Sequence, residues 1–191
     1  MDKVTEIRWH GRGGQGAVTA GELLAETALH EGKFFQAFPD YGPERMGAPI
    51  RAYTRISPRP IRQHSQITNP DLVVLLDPTL IGVVDITEGL KEEGALVVNT
   101  GESPEELRRT LKYDKGTVYT VDATRIALDT IGRNFPNTPM LGAVLRAREV
   151  VDRGSLLKEL RRRFSTRGIG KKVIEANVAA VERAFSEAKQ G

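Results

Sequence analysis

The sequence predicts an α/β fold of three layers, in which a mainly parallel sheet with one antiparallel strand lies between helices. A strand, a glycine-rich loop and a helix open the chain, and two unbroken aliphatic runs, 72–76 and 95–98, are typical of strands buried on both faces. The pattern beyond Pro139 is helical only, which predicts C-terminal helices packed on the sheet. With 191 residues, 39% of them hydrophobic, and no linker or repeat, the chain is expected to form one domain over residues 1–191.

The first elements follow from periodicity and glycine positions. Residues 4–9 alternate like a strand and run into a loop, after which residues 17–30 have helical periodicity and end at Gly32 as a left-handed cap. A short second strand is expected over 34–38. The Pro/Gly-rich stretch 39–49 is too long for a simple connector, and loops of that length often carry function.

The remaining strands are predicted from alternation and aliphatic content. Residues 50–56 place Arg51, Tyr53 and Arg55 on one face and smaller or apolar residues on the other, as expected for a half-exposed antiparallel strand. The two aliphatic runs and residues 117–121 are expected to be parallel strands buried between helix layers.

Capping residues mark the helices of the second half. Ser103 opens a capping box completed by Pro104 and Glu106, and Asp122 can cap a helix that runs to about residue 133. Apolar spacing then predicts three C-terminal helices, beginning at Leu141, over 156–164 and over 174–185.

Composition excludes several classes of protein. The chain has no cysteine, so it can hold no iron–sulfur cluster, thiolate zinc site or disulfide. Its three histidines, His10, His30 and His64, lie far apart, and we expect no metal site. A net charge of +3 arises from interspersed charges, which does not indicate nucleic-acid binding. No apolar run approaches the roughly 20 residues that span a bilayer, so a cytoplasmic protein without membrane contact is expected.

The glycine loop satisfies the GxGxxG pattern through Gly11, Gly13 and Gly16, between a strand and a helix. Unpaired backbone N–H groups at a helix N-terminus can cradle a phosphate. The alternative, that the glycines only permit a tight turn, stays open. A dinucleotide site also requires an acid after the second strand, where only Asp40 is arguable, so stable NAD or FAD binding is disfavoured.

Other polar residues follow the predicted strands. Asp77, Asn99 and Asp122 come directly after buried strands, at the sheet edge where α/β proteins bind ligands, although each can equally form a turn or cap a helix. His10, Gln15, Glu44 and Arg45 are ambiguous individually. No pair of nucleophile and base stands out, and we assign no catalytic residue.

Longer strings resemble a known family. WHGRGGQGAVTAGELLAE followed by FPDYGPERMGAPIRAYTRIS resembles the gamma family of pyruvate, 2-oxoisovalerate and related 2-oxoacid:ferredoxin oxidoreductases. The stretch from Asn137 to Ala143 and the last helix with Asn177 agree with it, so the resemblance spans most of the chain. The chain departs from the family pattern at Met46 and Ala48, and the sequence does not assign the 2-oxoacid.

The resemblance implies a gamma subunit of a complex that oxidatively decarboxylates a 2-oxoacid to acyl-CoA and passes electrons to ferredoxin. Thiamine diphosphate, magnesium and iron–sulfur clusters would then belong to partner subunits, namely alpha, beta and a ferredoxin-like delta. The isolated chain is expected to be inactive and to bind no cofactor alone. A stand-alone NAD(P)- or FAD-binding oxidoreductase and a purely structural assembly subunit are the alternatives.

The resemblance also implies contact with coenzyme A, whose phosphates would suit a glycine loop and arginines. The surface over 38–55 is expected to be apolar, rich in arginine and covered by a partner subunit. The predicted ligand-binding residues are Gly11, Arg12, Gly13, Gly14, Gln15, Gly16, Glu44, Arg45, Arg51, Asp77 and Asn99.

Overall fold

Seven strands form one sheet in the computed structural model, which describes residues 4–40 and 47–191. In chain order they are β1 Thr5–Arg12, β2 Phe34–Asp40, β3 Pro49–Ser57, β4 Leu72–Leu75, β5 Ala95–Asn99, β6 Thr117–Val121 and β7 Lys189–Gln190. Their order across the sheet is β2-β3-β1-β4-β5-β6-β7. Neighbours among β1, β4, β5 and β6 are parallel, whereas β3 is antiparallel to β1 and β2, and β7 to β6. The predicted mainly parallel sheet with an antiparallel strand is confirmed.

The described residues also form six α-helices and one short 3-10 turn, Pro78–Leu80. The helices are α1 Ala17–His30, α2 Pro104–Leu111, α3 Ala123–Ile131, α4 Asn137–Ala147, α5 Arg153–Thr166 and α6 Lys171–Glu187. All except α2 pack on one sheet face, in a core that includes Trp9, Leu72 and Val97. Leu107 of α2 and the apolar residues of 80–86 cover the other face around Val73 and Leu96. The sheet therefore lies between two helix-bearing layers of unequal thickness.

Local capping explains where several helices begin and end. Ser103 accepts from the Glu106 N–H and the Glu106 side chain returns the bond, which confirms the capping box of α2. Asp122 accepts from the Arg125 N–H at the start of α3, as predicted. Gly32 has a φ of 74° directly after α1, as expected of a left-handed cap.

Helix α4 begins at Asn137, four residues before the start predicted from its apolar stripe. Pro139 lies in its first turn, where a helix residue has no intrahelical N–H bond to lose. The sequence reading treated this proline as a boundary, whereas the helix incorporates it. The early start matters because it brings Asn137 and Thr138 next to the glycine loop.

The prediction that β3 is half-exposed is wrong. Tyr53 and Arg55 are only 2% and 1% exposed, because the neighbouring strands cover them. Arg55 donates to Glu6 at 2.9 Å and to Gln36 at 3.2 Å, and its guanidinium lies 5.7 Å from the centre of the Phe38 ring. The exposed large apolar side chains in this part of the described chain are instead Phe34 and Phe35 at the start of β2, outside the range predicted for the partner-covered surface.

Candidate functional site

The glycine loop joins β1 to α1 at the carboxyl end of β1. Gly14 and Gly16 have φ angles of 95° and 81°, in the left-handed region that favours glycine. Gly11 is closely packed, since a Cβ there would lie 3.3 Å from Gln15 Oε1 and would require that side chain to shift. The Gly13 N–H donates to Ala48 O at 3.0 Å and extends the pairing of β1 with β3. The expectation that this N–H is unpaired and free to hold a phosphate is therefore wrong at Gly13.

Asp77 anchors the glycine loop. Its Oδ2 accepts from Arg12 Nε at 3.1 Å and from Gln15 Nε2 at 2.6 Å, and its Oδ1 accepts from the Thr79 N–H at 2.9 Å and hydroxyl at 2.7 Å. Gln15 Oε1 in turn accepts from the Arg12 N–H at 2.7 Å. Burial alone would raise the pKa of Asp77, but the bonds from Thr79 and Gln15 and the charge of Arg12 outweigh it and lower that pKa. Arg12 therefore stabilises the loop, and Asp77 already neutralises its charge.

Asn99 holds the neighbouring part of the same sheet edge. Its Nδ2 donates to Leu76 O at 2.7 Å and to Thr124 Oγ1 at 2.9 Å, and its Oδ1 accepts from the Thr124 N–H at 3.1 Å. The side chain therefore ties the end of β4 to the start of α3. Asp77 and Asn99 do lie at the predicted edge, but the structure engages both in holding the scaffold.

Arg51 lies in a polar cluster on the opposite face of the sheet from α1. It pairs across the strands with His10 and approaches Glu88 at 3.4 Å. His10 is 1% exposed and accepts from Arg8 Nε at 3.0 Å. Burial and then the charges of Arg8 and Arg51 lower the pKa of His10 to about 3, so the imidazole is neutral at physiological pH. The predicted residues Glu44 and Arg45 lie outside the described part of the chain.

A groove of about 590 Å³ opens beside the glycine loop. Three helices begin at its walls: α1 after Gly14–Gly16, α4 at Asn137 and Thr138, and α6, whose Val173 and Asn177 line it. Gly16 permits this closeness, because a Cβ there would lie 2.7 Å from Asn137 Nδ2. Apolar side chains, including Phe135, Phe164 and Ile169, form the rest of the wall.

These three helix starts differ from the others in the described chain. Helices α2, α3 and α5 are capped by the side chains of Ser103, Asp122 and Asp152. Helices α1, α4 and α6 follow Gly16, Pro136 and Gly170, make no side-chain cap bond and have no acidic residue in the first turn. Since a helix N-terminus carries partial positive charge and unpaired N–H groups, three such starts give this groove a partial positive charge.

Two buried side chains add unpaired polar atoms to the groove. Thr138 is 5% exposed and its hydroxyl has no hydrogen-bond partner among residues 4–40 and 47–191. Asn177 is also 5% exposed; its Nδ2 donates to Val173 O at 2.8 Å, while its Oδ1 accepts from no described donor. The sequence reading assigned no role to Thr138, Phe135 or Arg133. The signal that could have found this site was the missing cap residue before α4 and α6.

The sheet order removes the basis for a dinucleotide site. In a dinucleotide fold the acid that binds the ribose ends the strand beside the glycine loop. Here β3 lies between β1 and β2, so Asp40 is two strands away and its carboxylate contacts Tyr53 at 3.2 Å and Gln66 at 2.7 Å. Asp40 therefore cannot serve as the ribose-binding acid.

Between 4 and 40 and from 47 onwards, no group of three His, Asp or Glu side chains is placed to hold a metal ion. No helix in those ranges has the length and apolar composition that a membrane crossing requires.

Known proteins share this architecture. A model of the family described as pyruvate ferredoxin/flavodoxin oxidoreductase matches residues 6–187. The chain is 49% identical over 182 residues to the pyruvate/ketoisovalerate oxidoreductases common subunit gamma of Thermococcus kodakarensis, covering 95% of this chain and 96% of the relative. The crystal structure of pyruvate oxidoreductase subunit PORC from Thermotoga maritima superposes with a TM-score of 0.87 and 44% identity over 99% of both chains.

A more distant structure has the same fold. The 2-oxoglutarate:ferredoxin oxidoreductase of Magnetococcus marinus, solved with 2-oxoglutarate, coenzyme A and succinyl-CoA bound, matches with a TM-score of 0.78 and 18% identity. The match covers 97% of this chain and 31% of that chain, so the fold corresponds to one part of a longer polypeptide.

Proposed function

Since the chain belongs to the pyruvate ferredoxin/flavodoxin oxidoreductase family as a gamma-type subunit, we propose that its complex oxidises pyruvate or a branched-chain 2-oxoacid. The products are the acyl-CoA and carbon dioxide, with two electrons passed to ferredoxin. Support for this substrate class comes from the relative of Thermococcus kodakarensis, which is named for both pyruvate and ketoisovalerate.

The chain works with other subunits of a multi-subunit oxidoreductase. We assign thiamine diphosphate, magnesium and the iron–sulfur clusters to alpha, beta and ferredoxin-like delta partner subunits. This chain has no cysteine, so it cannot ligate the clusters. We place the complex in the cytoplasm. The chain itself serves as one gamma-type domain over 1–191, which the family match over 6–187 supports.

Within the complex, the glycine loop contacts a phosphate of coenzyme A. The observation that carries this proposal is the meeting of three uncapped helix N-termini at one groove, beside the unpaired hydroxyl of Thr138. The donors are the N–H groups of Gly16 and the first turn of α1, together with the Asn137 amide. Asp77 holds the loop in shape, and Asn99 holds the neighbouring part of the sheet edge. Arg12 is not available as the phosphate's cation because Asp77 already neutralises it, and Arg51, paired with Glu88 on the opposite face of the sheet, takes no part in this contact.

Asn137→Asp tests this contact in the assembled enzyme. A carboxylate at this position would repel the phosphate, whereas it suits a helix N-terminus and leaves folding intact. We expect the KM for coenzyme A to rise at least about tenfold, equivalent to about 1.4 kcal/mol, with the KM for the 2-oxoacid unchanged. Gln63→Glu, at an exposed position that does not line the groove, is the control with the same change of charge. Equal KM values for the two variants would mean that the loop has a structural role only.

Reconstitution tests the gamma function itself. The other subunits are assayed for 2-oxoacid-dependent and CoA-dependent ferredoxin reduction, with and without this chain. We expect the reaction only when the chain is present. Full turnover in its absence would refute the assignment whether or not the loop contacts coenzyme A.

A further inference from the structure

A basic and apolar surface borders the outer end of the groove. We call it the basic rim. It comprises three residues that line the groove, Arg133 and Phe135 after α3 and Val173 in the first turn of α6, together with nearby cations at the C-terminal cap of α5 and the start of α6, namely Arg167, Lys171 and Lys172. All six residues are exposed. Phe135 and Val173, which also line the groove, are each 46% exposed.

Three of the four cations of the basic rim have no partner in the described chain. Arg133, Arg167 and Lys172 make no ion pair or hydrogen bond to residues 4–40 or 47–191, whereas Lys171 interacts electrostatically with Glu175. The carboxylate one turn along α6, Glu175, is already held by Arg161 through bonds of 2.9 and 3.0 Å. Elsewhere, buried or half-buried cations such as Arg55 and Arg163 are matched with carboxylates of this chain. The basic rim therefore carries positive charge that the described fold does not neutralise.

The position of the two lysines makes the positive charge of the rim more unfavourable. Lys171 and Lys172 are the first residues of α6, where the helix dipole disfavours cations, and Gly170 supplies no side-chain cap. An anion from outside the chain would relieve both effects. The Oδ1 of Asn177, one turn further along α6, accepts no hydrogen bond from the described residues and is available to a donor that enters the groove.

We propose that the basic rim docks an acidic segment of another subunit of the complex. Its carboxylates pair with the rim cations, and an adjacent apolar side chain enters the groove mouth against Phe135 and Val173. Charge complementarity selects this occupant, because cations that the described residues leave without an ion pair lie close to exposed apolar side chains, and protein interfaces combine such groups. The inference goes beyond the proposed function and does not depend on the coenzyme A contact.

Charge reversal of the α6 lysines tests the docking. The double variant Lys171→Glu, Lys172→Glu is produced with the other subunits, and dissociation of this chain is measured at several salt concentrations. Glutamates in a first helical turn favour the helix, so the melting temperature of the isolated variant is expected to match or exceed the wild type. The matched control is Arg109→Glu, Lys158→Glu, which changes the charge equally at two exposed positions without ion pairs, away from the groove.

We expect the lysine variant to dissociate with a Kd at least about tenfold higher than that of the control, and wild-type affinity to weaken with salt. Phe135→Ala should lower affinity without this salt dependence. The proposal is overturned if the lysine variant and the control assemble equally. It is also overturned if the lysine variant assembles normally and changes only the KM for coenzyme A, which would make the surface a small-molecule site.

Discussion

Replacing Asp77 by asparagine is expected to loosen the glycine loop without changing the size of the side chain. The carboxylate accepts four hydrogen bonds, two from Thr79 and one each from Arg12 and Gln15. An asparagine keeps a single acceptor oxygen. It can therefore retain either the Thr79 turn or the contacts to the loop, but not both.

The magnitude follows from those lost bonds. Hydrogen bonds to charged groups contribute about 1.5–3 kcal/mol each, and the acceptor of the Gln15 bond, Asp77, is only 8% exposed as a residue. The Arg12 contact counts for less, because that side chain is 31% exposed and solvent screens the pair. We expect a loss of about 2–3 kcal/mol in the free energy of unfolding, or about 4–12 °C in melting temperature for a domain of this size.

Urea denaturation of the isolated chain at neutral pH measures this loss, and Asp85→Asn is the matched control. Asp85 accepts from the Thr87 N–H at 2.9 Å and hydroxyl at 2.8 Å, the same turn that Asp77 makes with Thr79, but it is exposed and contacts no loop residue. The difference between the variants isolates the loop contacts. Equal losses would refute the anchoring role of Asp77.

The pH dependence gives a second readout of the same interaction. The folded-state pKa of Asp77 is lowered from 3.8 by its partners, once burial has been outweighed. Its stabilisation is therefore fully present above the unfolded pKa and is lost as the pH falls through the folded pKa. The stability gap between the wild type and Asp77→Asn should thus narrow below about pH 4.

Three further outcomes are expected. The folded pKa of His10 is about 3 against 6.5 unfolded, so stability should fall by about 1.4 kcal/mol per pH unit between those values as the pH decreases. His10→Gln should flatten this slope in acid titration monitored by circular dichroism, and an unchanged slope would contradict the buried neutral imidazole. Gly142→Ala should lower the free energy of unfolding, measured in urea, by about 1–3 kcal/mol or more, because its Cβ would lie 2.1 Å from Val181 O. Gly101→Ala should leave that free energy nearly unchanged, because the Cβ there would meet only Asp122, at 3.6 Å. The isolated chain should show no visible absorbance and no 2-oxoacid-dependent acceptor reduction, and activity by it alone would contradict the division of labour between subunits.

Short sequence patterns were sufficient to predict the parts of the fold that depend only on residues close together in the chain. The capping box at Ser103, the Asp122 cap and the aliphatic strands follow from residues within a few positions of one another, and the structure confirms them. Local reasoning failed where a distant strand supplied the partner. Arg55 is charged and lies in an alternating strand, yet Glu6 and Gln36 from the flanking strands bury it.

The sequence by itself determined the α/β class, the strand–loop–helix at the N-terminus and, through the order of its motifs, the resemblance to the gamma subunits. These features depend on periodicity and on residue types at short spacing, which any reader of the chain can see. Tertiary structure alone decided that β3 separates β2 from β1. It also decided that Asp77 neutralises Arg12, and that the starts of α1, α4 and α6 meet at one groove. These features depend on contacts between residues that are far apart in the chain. Arg12 and Asp77 are 65 positions apart, and Gly16 and Asn137 are more than 120 apart. No local sequence pattern encodes which distant side chain makes such a contact.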